Sequence, residues 1–207
     1  MMTYKIFIFA LITGLMIVAA PPLMAQSGDP LKTQRHFKIK NPARLTIAEA
    51  LSAYENVSGQ LFRGYAASKD PTAMVYGTWR RYSTAPYTSA THGNRYVSNY
   101  GNRKASSYGS GKFMPAGAII AKDSFTVTKD RAVYAGALFI MEKLAEGTSP
   151  QTGDWRYQMI MPDGSLFGDS LATGAKEVAF CHTCHTSEKK NDYLFYIPKK
   201  YRRVSLD

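Results

Sequence analysis

Apolar residues recur at helical spacing in one stretch of this chain and at strand spacing in the next. Thr46-Ile47-Ala48-Glu49 has the order of a capping box, a hydroxyl residue followed three positions later by a glutamate. Ile47, Ala50, Leu51 and Tyr54 then repeat with the period of an amphipathic helix. The pattern predicts a helix from 47 to about Val57, resuming to Tyr65 beyond Gly59. Asp70-Pro71 breaks the chain, and 76–82 reads as a second short helix with Tyr76, Trp79 and Tyr82 near one face. Beyond Pro86 the period changes. Residues 95–100 alternate and are rich in aromatics. Residues 116–127 are apolar and β-branched, and 134–141 is another apolar run. Residues 155–161 lie between Gly153-Asp154 and the strong turn Pro162-Asp163-Gly164. The expected fold class is α+β, predominantly antiparallel β-sheet, with N-terminal helices and a C-terminal cofactor-attachment segment.

The chain ahead of the first helix has a different character. Lys5 precedes an apolar run over 6–20, broken only by Thr13 and Gly14, and Leu23-Met24-Ala25 leads into polar Gln26-Ser27-Gly28. Residues 1–25 read as a cleaved secretory signal, short for a membrane span, which places the mature protein in the periplasm. A retained N-terminal anchor is the alternative, because Leu23 departs from the small-x-small cleavage pattern. Residues 26–45, with Pro30 and Pro42, read as an extended basic arm, and 46–207 fits one domain. With 45% hydrophobic and 20% charged residues the composition is that of a globular protein. Lys and Arg outnumber Asp and Glu by 26 to 15. In an exported chain without a recognised binding motif this excess does not point to nucleic acid. It reads as a solvated surface with a bias towards acidic partners.

Chemistry concentrates at Phe180-Cys181-His182-Thr183-Cys184-His185, which holds the only two cysteines. C-x-x-C-H is the attachment signature of a c-type haem. The two thiols would form thioethers to the porphyrin, and His185 would be the axial iron ligand. Three other uses of the pair stand beside this one. Zinc needs about four ligands, and no second Cys pair or H-x3-5-H partner is present. A dithiol redox pair usually opens a helix early in a thioredoxin-like chain, whereas this one lies near the C-terminus. A structural disulfide across so short a loop would restrict the unfolded chain little.

Three charged residues interrupt apolar strands. Lys122 follows Ala118 and Ile120 on one face by period two. It is either an exposed strand end or a lysine aimed into a haem pocket. Glu142 directly follows an apolar run and is either a paired structural charge or a proton acceptor. Arg95 is either a surface charge or a donor to an iron-bound oxyanion. Spacing does not separate these readings. Met114, Met141, Met159 and Met161 are placed where one could serve as a second axial ligand, and each also suits core filling.

The ordered set His92-Gly93-Asn94-Arg95-Tyr96-Val97, Pro115-x-Gly117, Lys122-Asp123, Met141-Glu142-Lys143, Gly153-Asp154-Trp155-Arg156-Tyr157, Cys181 to His185, and Asp192-Tyr193-Leu194-Phe195 resembles the cytochrome P460 family, which includes cytochrome c′-beta. The match runs from about Tyr76 to Phe195. The resemblance implies a mainly antiparallel β domain, commonly a homodimer, carrying a covalently attached haem c with His185 as proximal ligand. It implies that Lys122 can be cross-linked to a porphyrin meso carbon, as in the members that oxidise hydroxylamine, with nitric oxide, to nitrous oxide or nitrite. It places Glu142 and Arg95 as distal catalytic residues, the first accepting protons and the second hydrogen-bonding bound ligand. An electron-transfer protein would be the partner. Two further functions remain open: capture of nitric oxide or another diatomic without turnover, and simple electron transfer through six-coordinate iron.

Overall fold

The computed structural model describes residues 42–203 and the backbone of Ala25–Gln26. Apart from the backbone of Ala25 and Gln26, the secretory signal expected over 1–25 and residues 26–41 of the expected basic arm therefore lie outside the described residues. Among the described residues no helix is long and apolar enough to cross a membrane.

Helix α1 (Ile47–Ala66) begins at the expected cap. The Thr46 hydroxyl accepts from the Glu49 amide at 3.2 Å, and the Glu49 carboxylate accepts from the Thr46 amide at 2.8 Å. The helix then continues through Gly59 without the expected interruption. Val57, Leu61 and Tyr65 bury at four-residue spacing on the face that also carries Ala50 and Tyr54. Burial of side chains this size, worth roughly 1.5–3 kcal/mol each, outweighs the ~1 kcal/mol that a glycine costs relative to alanine.

Asp70-Pro71 starts a helix rather than ending one. The Asp70 carboxylate accepts from the amides of Thr72 and Ala73, and Pro71 supplies the preset φ of a first helical residue. The result is α2 (Pro71–Val75). The second helix expected over 76–82 is thus displaced: Tyr76–Thr78 is a single 3-10 turn, and the chain extends immediately afterwards.

Among the described residues nine strands form one sheet: β1 (Ala25–Gln26), β2 (Arg80–Arg81), β3 (Tyr87–Ser89), β4 (Arg95–Gly101), β5 (Ile119–Val127), β6 (Val133–Ala135), β7 (Leu138–Lys143), β8 (Trp155–Ile160) and β9 (Leu166–Asp169). The antiparallel order β4-β5-β7-β8-β9 is its spine. β2 and β3 pair with the outer edge of β4, β6 pairs with the C-terminal end of β5, and β1 runs parallel to β6. The apolar run at 134–141 is divided at Gly136 because two neighbours crowd that residue. A Cβ there would stand 2.2 Å from Ser124 Oγ and 2.8 Å from Arg95 Cδ. The Gly136 amide donates to the Ser124 carbonyl at 2.8 Å, and the Ser124 hydroxyl donates to the Ala137 carbonyl at 2.6 Å.

β5 is buried on both faces. Ala121, Phe125 and Val127 pack under α1 with Tyr96, Tyr100 and Leu138. Ile120 faces the other way, against Val97, Met141, Trp155 and Tyr157, and the C-terminal segment covers this side through Tyr193, Leu194 and Ile197. Phe139, Met159 and Met161 extend the same face towards Val178 and the short helix α3 (Ala179–His185). The end of the arm is fastened to the sheet. The Ala43 amide donates to the Val127 carbonyl at 2.7 Å, and the Tyr96 hydroxyl bridges Ala43 and Leu45.

Candidate haem site

A helix turns about once every 3.6 residues, so C-x-x-C-H on α3 brings Cys181, Cys184 and His185 to one side. That side borders a cavity of about 220 Å³ between α3 and the sheet. The helix contributes both cysteines and His185. The sheet contributes Lys122 from β5, Phe139 and Met141 from β7, and Tyr157 from β8; His92 comes from the turn before β4. All four residues assigned to cofactor binding, Cys181, Cys184, His185 and Lys122, are brought together here.

His185 is prepared for an axial role. It is 7% exposed, and its Nδ1 lies 2.6 Å from the carbonyl oxygen of Tyr193. A carbonyl only accepts, so Nδ1 carries the proton and Nε2 keeps its lone pair. Burial, followed by the nearby Lys122 charge, pushes the imidazole pKa down to about 4, which keeps the ring neutral near pH 7. Phe195 meets the ring edge-on at 5.2 Å between centroids, and Tyr157 lies at 5.5 Å.

Lys122 is 6% exposed, and among the described residues its ammonium has no hydrogen-bond or ion-pair partner. Burial pushes its pKa down to about 8, opposed by the adjacent Cys184. Near neutral pH the free, nucleophilic amine is therefore a minor form, but one far more populated than in an exposed lysine. Burial likewise pushes the Cys181 thiol up to about 12.

The two residues expected to be catalytic do not line the cavity. Arg95 is buried and donates to the His92 carbonyl at 3.5 Å, so it stands one residue behind the wall. Glu142 falls on the opposite pleat from Phe139 and Met141. It is half-buried and accepts from Arg156 at 3.2 Å; Arg156 also pairs with Asp169. Of the four methionines considered as ligands, Met141 alone borders the cavity. Met159 and Met161 pack in the third apolar cluster, and the Met114 sulfur accepts from the Ser107 hydroxyl.

Three residues gain a role that sequence reasoning had not assigned. His92 presents its ring edge to Phe139 at 4.7 Å while Nδ1 lies 2.8 Å from the Ser89 hydroxyl. Tyr157 keeps a buried hydroxyl with no hydrogen-bond partner among the described residues. Asp192 anchors the segment beneath His185. Gly93-Asn94, both in the left-handed region at φ 74° and 60°, marked the turn that presents His92, and Tyr157 follows Trp155 by period two. Asp192 stood in the sequence only as the first residue of the Asp192-Tyr193-Leu194-Phe195 motif, with no role attached to it.

This donor set fits a c-type haem: two thiols and one imidazole nitrogen on adjacent turns, apolar walls, and an unsatisfied buried hydroxyl that a bound group could engage. Among the described residues no three His, Cys, Asp or Glu side chains converge as metal ligands, so the tetrahedral zinc alternative lacks its ligand set. A search of curated proteins finds no match to the chain. The family model described as Cytochrome P460 matches residues 74–196, from within α2 to one residue past the Phe195 ring that braces His185. That span is more than half of the sequence and contains every cavity residue described above, and the chain accordingly belongs to the cytochrome P460 family of c-type haem proteins.

Proposed function

We propose that the protein is exported to the periplasm and oxidises hydroxylamine, with nitric oxide, at its haem, passing the electrons to an electron-transfer protein. The observation that carries this reading is Lys122: a buried amine, without a partner among the described residues, in the same cavity as Cys181, Cys184 and His185. An unpaired buried ammonium is costly, and an interior strand position gives no structural return for it. A primary amine partly deprotonated near neutral pH is, in contrast, suited to bonding a porphyrin carbon.

When bound, the haem supplies the iron that takes electrons from the substrate nitrogen. The protein's part is to hold and shield. His185 offers Nε2 to the metal and is oriented by the Tyr193 carbonyl. Phe139 and Met141 line the cavity with apolar surface and restrict water. Arg95 acts through the His92 backbone rather than on the ligand. Glu142 is held by Arg156 outside the wall, so the ring inside the cavity able to exchange a proton is His92.

The partner reading draws on charge. Residues 80–84 and 199–203 lie together, joined by the Ser83–Arg202 bridge and by the Arg203 amide donating to the Tyr82 carbonyl at 2.9 Å. Arg80, Arg81 and Arg203 line one groove, with Lys199, Lys200 and Arg202 nearby. An acidic carrier protein suits such a surface. The homodimer implied by the family resemblance belongs to the same proposal and is checked by sedimentation of the holoprotein.

The test is hydroxylamine-dependent reduction of an electron acceptor by purified holoprotein, beside its reduced absorption spectrum. The expected result is turnover and a red-shifted ferrous Soret band in the natural protein, with both lost in a haem-loaded Lys122→Arg variant. A specific observation favours a second reading, diatomic capture without turnover: among the described residues no carboxylate lines the cavity. In that case the reduced protein binds nitric oxide, has an ordinary c-type spectrum and does not consume hydroxylamine. Simple electron transfer would instead give a low-spin spectrum with a methionine–iron band, for which Met141 is the residue in place.

A further inference from the structure

We propose that Asp192 is a positioning residue for the axial ligand: acting through the Tyr193 carbonyl, it fixes the His185 imidazole and sets how strongly that ring donates to the iron. This rests on ligation through His185 and extends it to residues outside the cavity.

The geometry is unusual along the backbone. Asp192 and Tyr193 are consecutive non-glycine residues in the left-handed region, at φ 54° and 62°. Such conformations persist only where the surroundings impose them. They turn the chain back after the 3-10 segment Thr186–Asn191, so that the Tyr193 carbonyl meets His185 Nδ1.

The Asp192 side chain is what imposes them. It is 2% exposed, and its carboxylate accepts three bonds from three separate parts of the fold. The Met114 amide donates at 2.8 Å, Lys143 Nζ at 2.6 Å and Trp155 Nε1 at 3.3 Å. Lys143 also donates to the Gly153 carbonyl at 2.9 Å. Gly153 in turn leaves room for the Tyr193 ring, since a Cβ there would stand 2.0 Å from it. The Tyr193 amide donates to the Glu188 carbonyl at 2.9 Å. The carbonyl under His185 is therefore held from β7, from β8 and from the 111–115 loop at once.

A fixed acceptor at Nδ1 raises the basicity of a metal-bound imidazole. A more basic imidazole stabilises the oxidised iron relative to the reduced iron. Loosening the Asp192 anchor should weaken the Nδ1–H bond, make the ring a poorer donor and raise the reduction potential. A role confined to holding the fold would lower stability without moving the potential.

The experiment uses haem-loaded Asp192→Asn, Lys143→Met and Lys143→Arg proteins. The equilibrium reduction potential and the iron–imidazole stretching frequency of the reduced state are measured beside the unfolding midpoint. The expected result is a higher potential and a lower stretching frequency in Asp192→Asn and Lys143→Met, with Lys143→Arg restored towards the natural values. Potentials and frequencies unchanged in both weakened variants would overturn the proposal. If Asp192→Asn does not fold, Lys143→Met decides. A natural holoprotein whose iron is ligated by a residue other than His185 would instead remove the ligation on which the proposal rests, which the absence of any iron–imidazole band in that protein would reveal.

Discussion

Lys122 and Asp123 are neighbours on β5 that point to opposite faces of the sheet, and each is buried. Asp123 lies under α1, where the Tyr54 hydroxyl donates to it at 2.5 Å and the Tyr76 hydroxyl at 3.3 Å. Burial pushes its pKa from the ordinary 3.8 up to about 7, with the hydrogen bonds from Tyr54 and Tyr76 opposing the rise. Between those two values the folded protein keeps a proton that the unfolded chain has released, so stability falls as pH rises through that window. Asp123→Asn should flatten this slope, as judged by urea unfolding at about pH 5 and about pH 8. Lys122→Met should do something different: stabilise the chain before haem attachment, by roughly 1–3 kcal/mol, while abolishing any lysine–porphyrin bond. Thermal unfolding of the haem-free protein checks the first part. Both Lys122 and Glu142 stood out in the sequence as charges at apolar strands, yet only Lys122 reaches the cavity. The pleat decides, since Glu142 shares a face with Leu138 and Ile140 rather than with Phe139 and Met141. Asp192 was visible in the sequence only as part of a motif, and its role was not, because that role comes from three donors distant along the chain.

Among the elements, the long ones were legible and the short ones were not. The stripe of α1, the alternation in β4, the apolar β-branched run of β5 and the turn-bounded stretch of β8 each hold over six residues or more. β3 and β9, three and four residues long, carry too little pattern to register. Gly59 looked able to interrupt α1 and does not, because it faces open space, whereas Gly136, read within one continuous apolar run, divides that run because neighbours crowd it. Two glycines of α1 make the distinction testable. At Gly64 an added Cβ would lie 2.1 Å from the Pro162 carbonyl oxygen, where the helix docks on the turn after β8, whereas at Gly59 the nearest contact is the mobile end of Arg63 at 3.4 Å. Gly64→Ala should cost about 1–3 kcal/mol or more. Gly59→Ala should gain up to about 1 kcal/mol. Denaturant midpoints of the two variants should move in opposite directions.

For the whole molecule, the two faces of the sheet divide the labour. α1 closes one face with a tightly packed core, and α3 with the C-terminal segment closes the other around the cavity. The ordered motifs made the family and the cofactor residues readable from the chain, because attachment chemistry demands fixed spacing. The cavity walls were less readable, since three strands, a turn and a helix converge there. The basic surface formed by residues 80–84 and 199–203 has a consequence at this scale. Electron transfer to an acidic carrier should slow as salt is added, and Arg80→Glu with Arg203→Glu should lower the association rate at low ionic strength by about tenfold or more. Stopped-flow kinetics over a salt series checks this.

The central claim is that one cavity holds a porphyrin tethered through Cys181 and Cys184, ligated by His185 and within reach of Lys122. Mass analysis of the protease-digested mature holoprotein tests it most directly. The account predicts a haem adduct joining the peptide that contains both cysteines to the β5 peptide that contains Lys122. A polypeptide recovered at its bare-chain mass, with both thiols and the Lys122 amine unmodified, would contradict it.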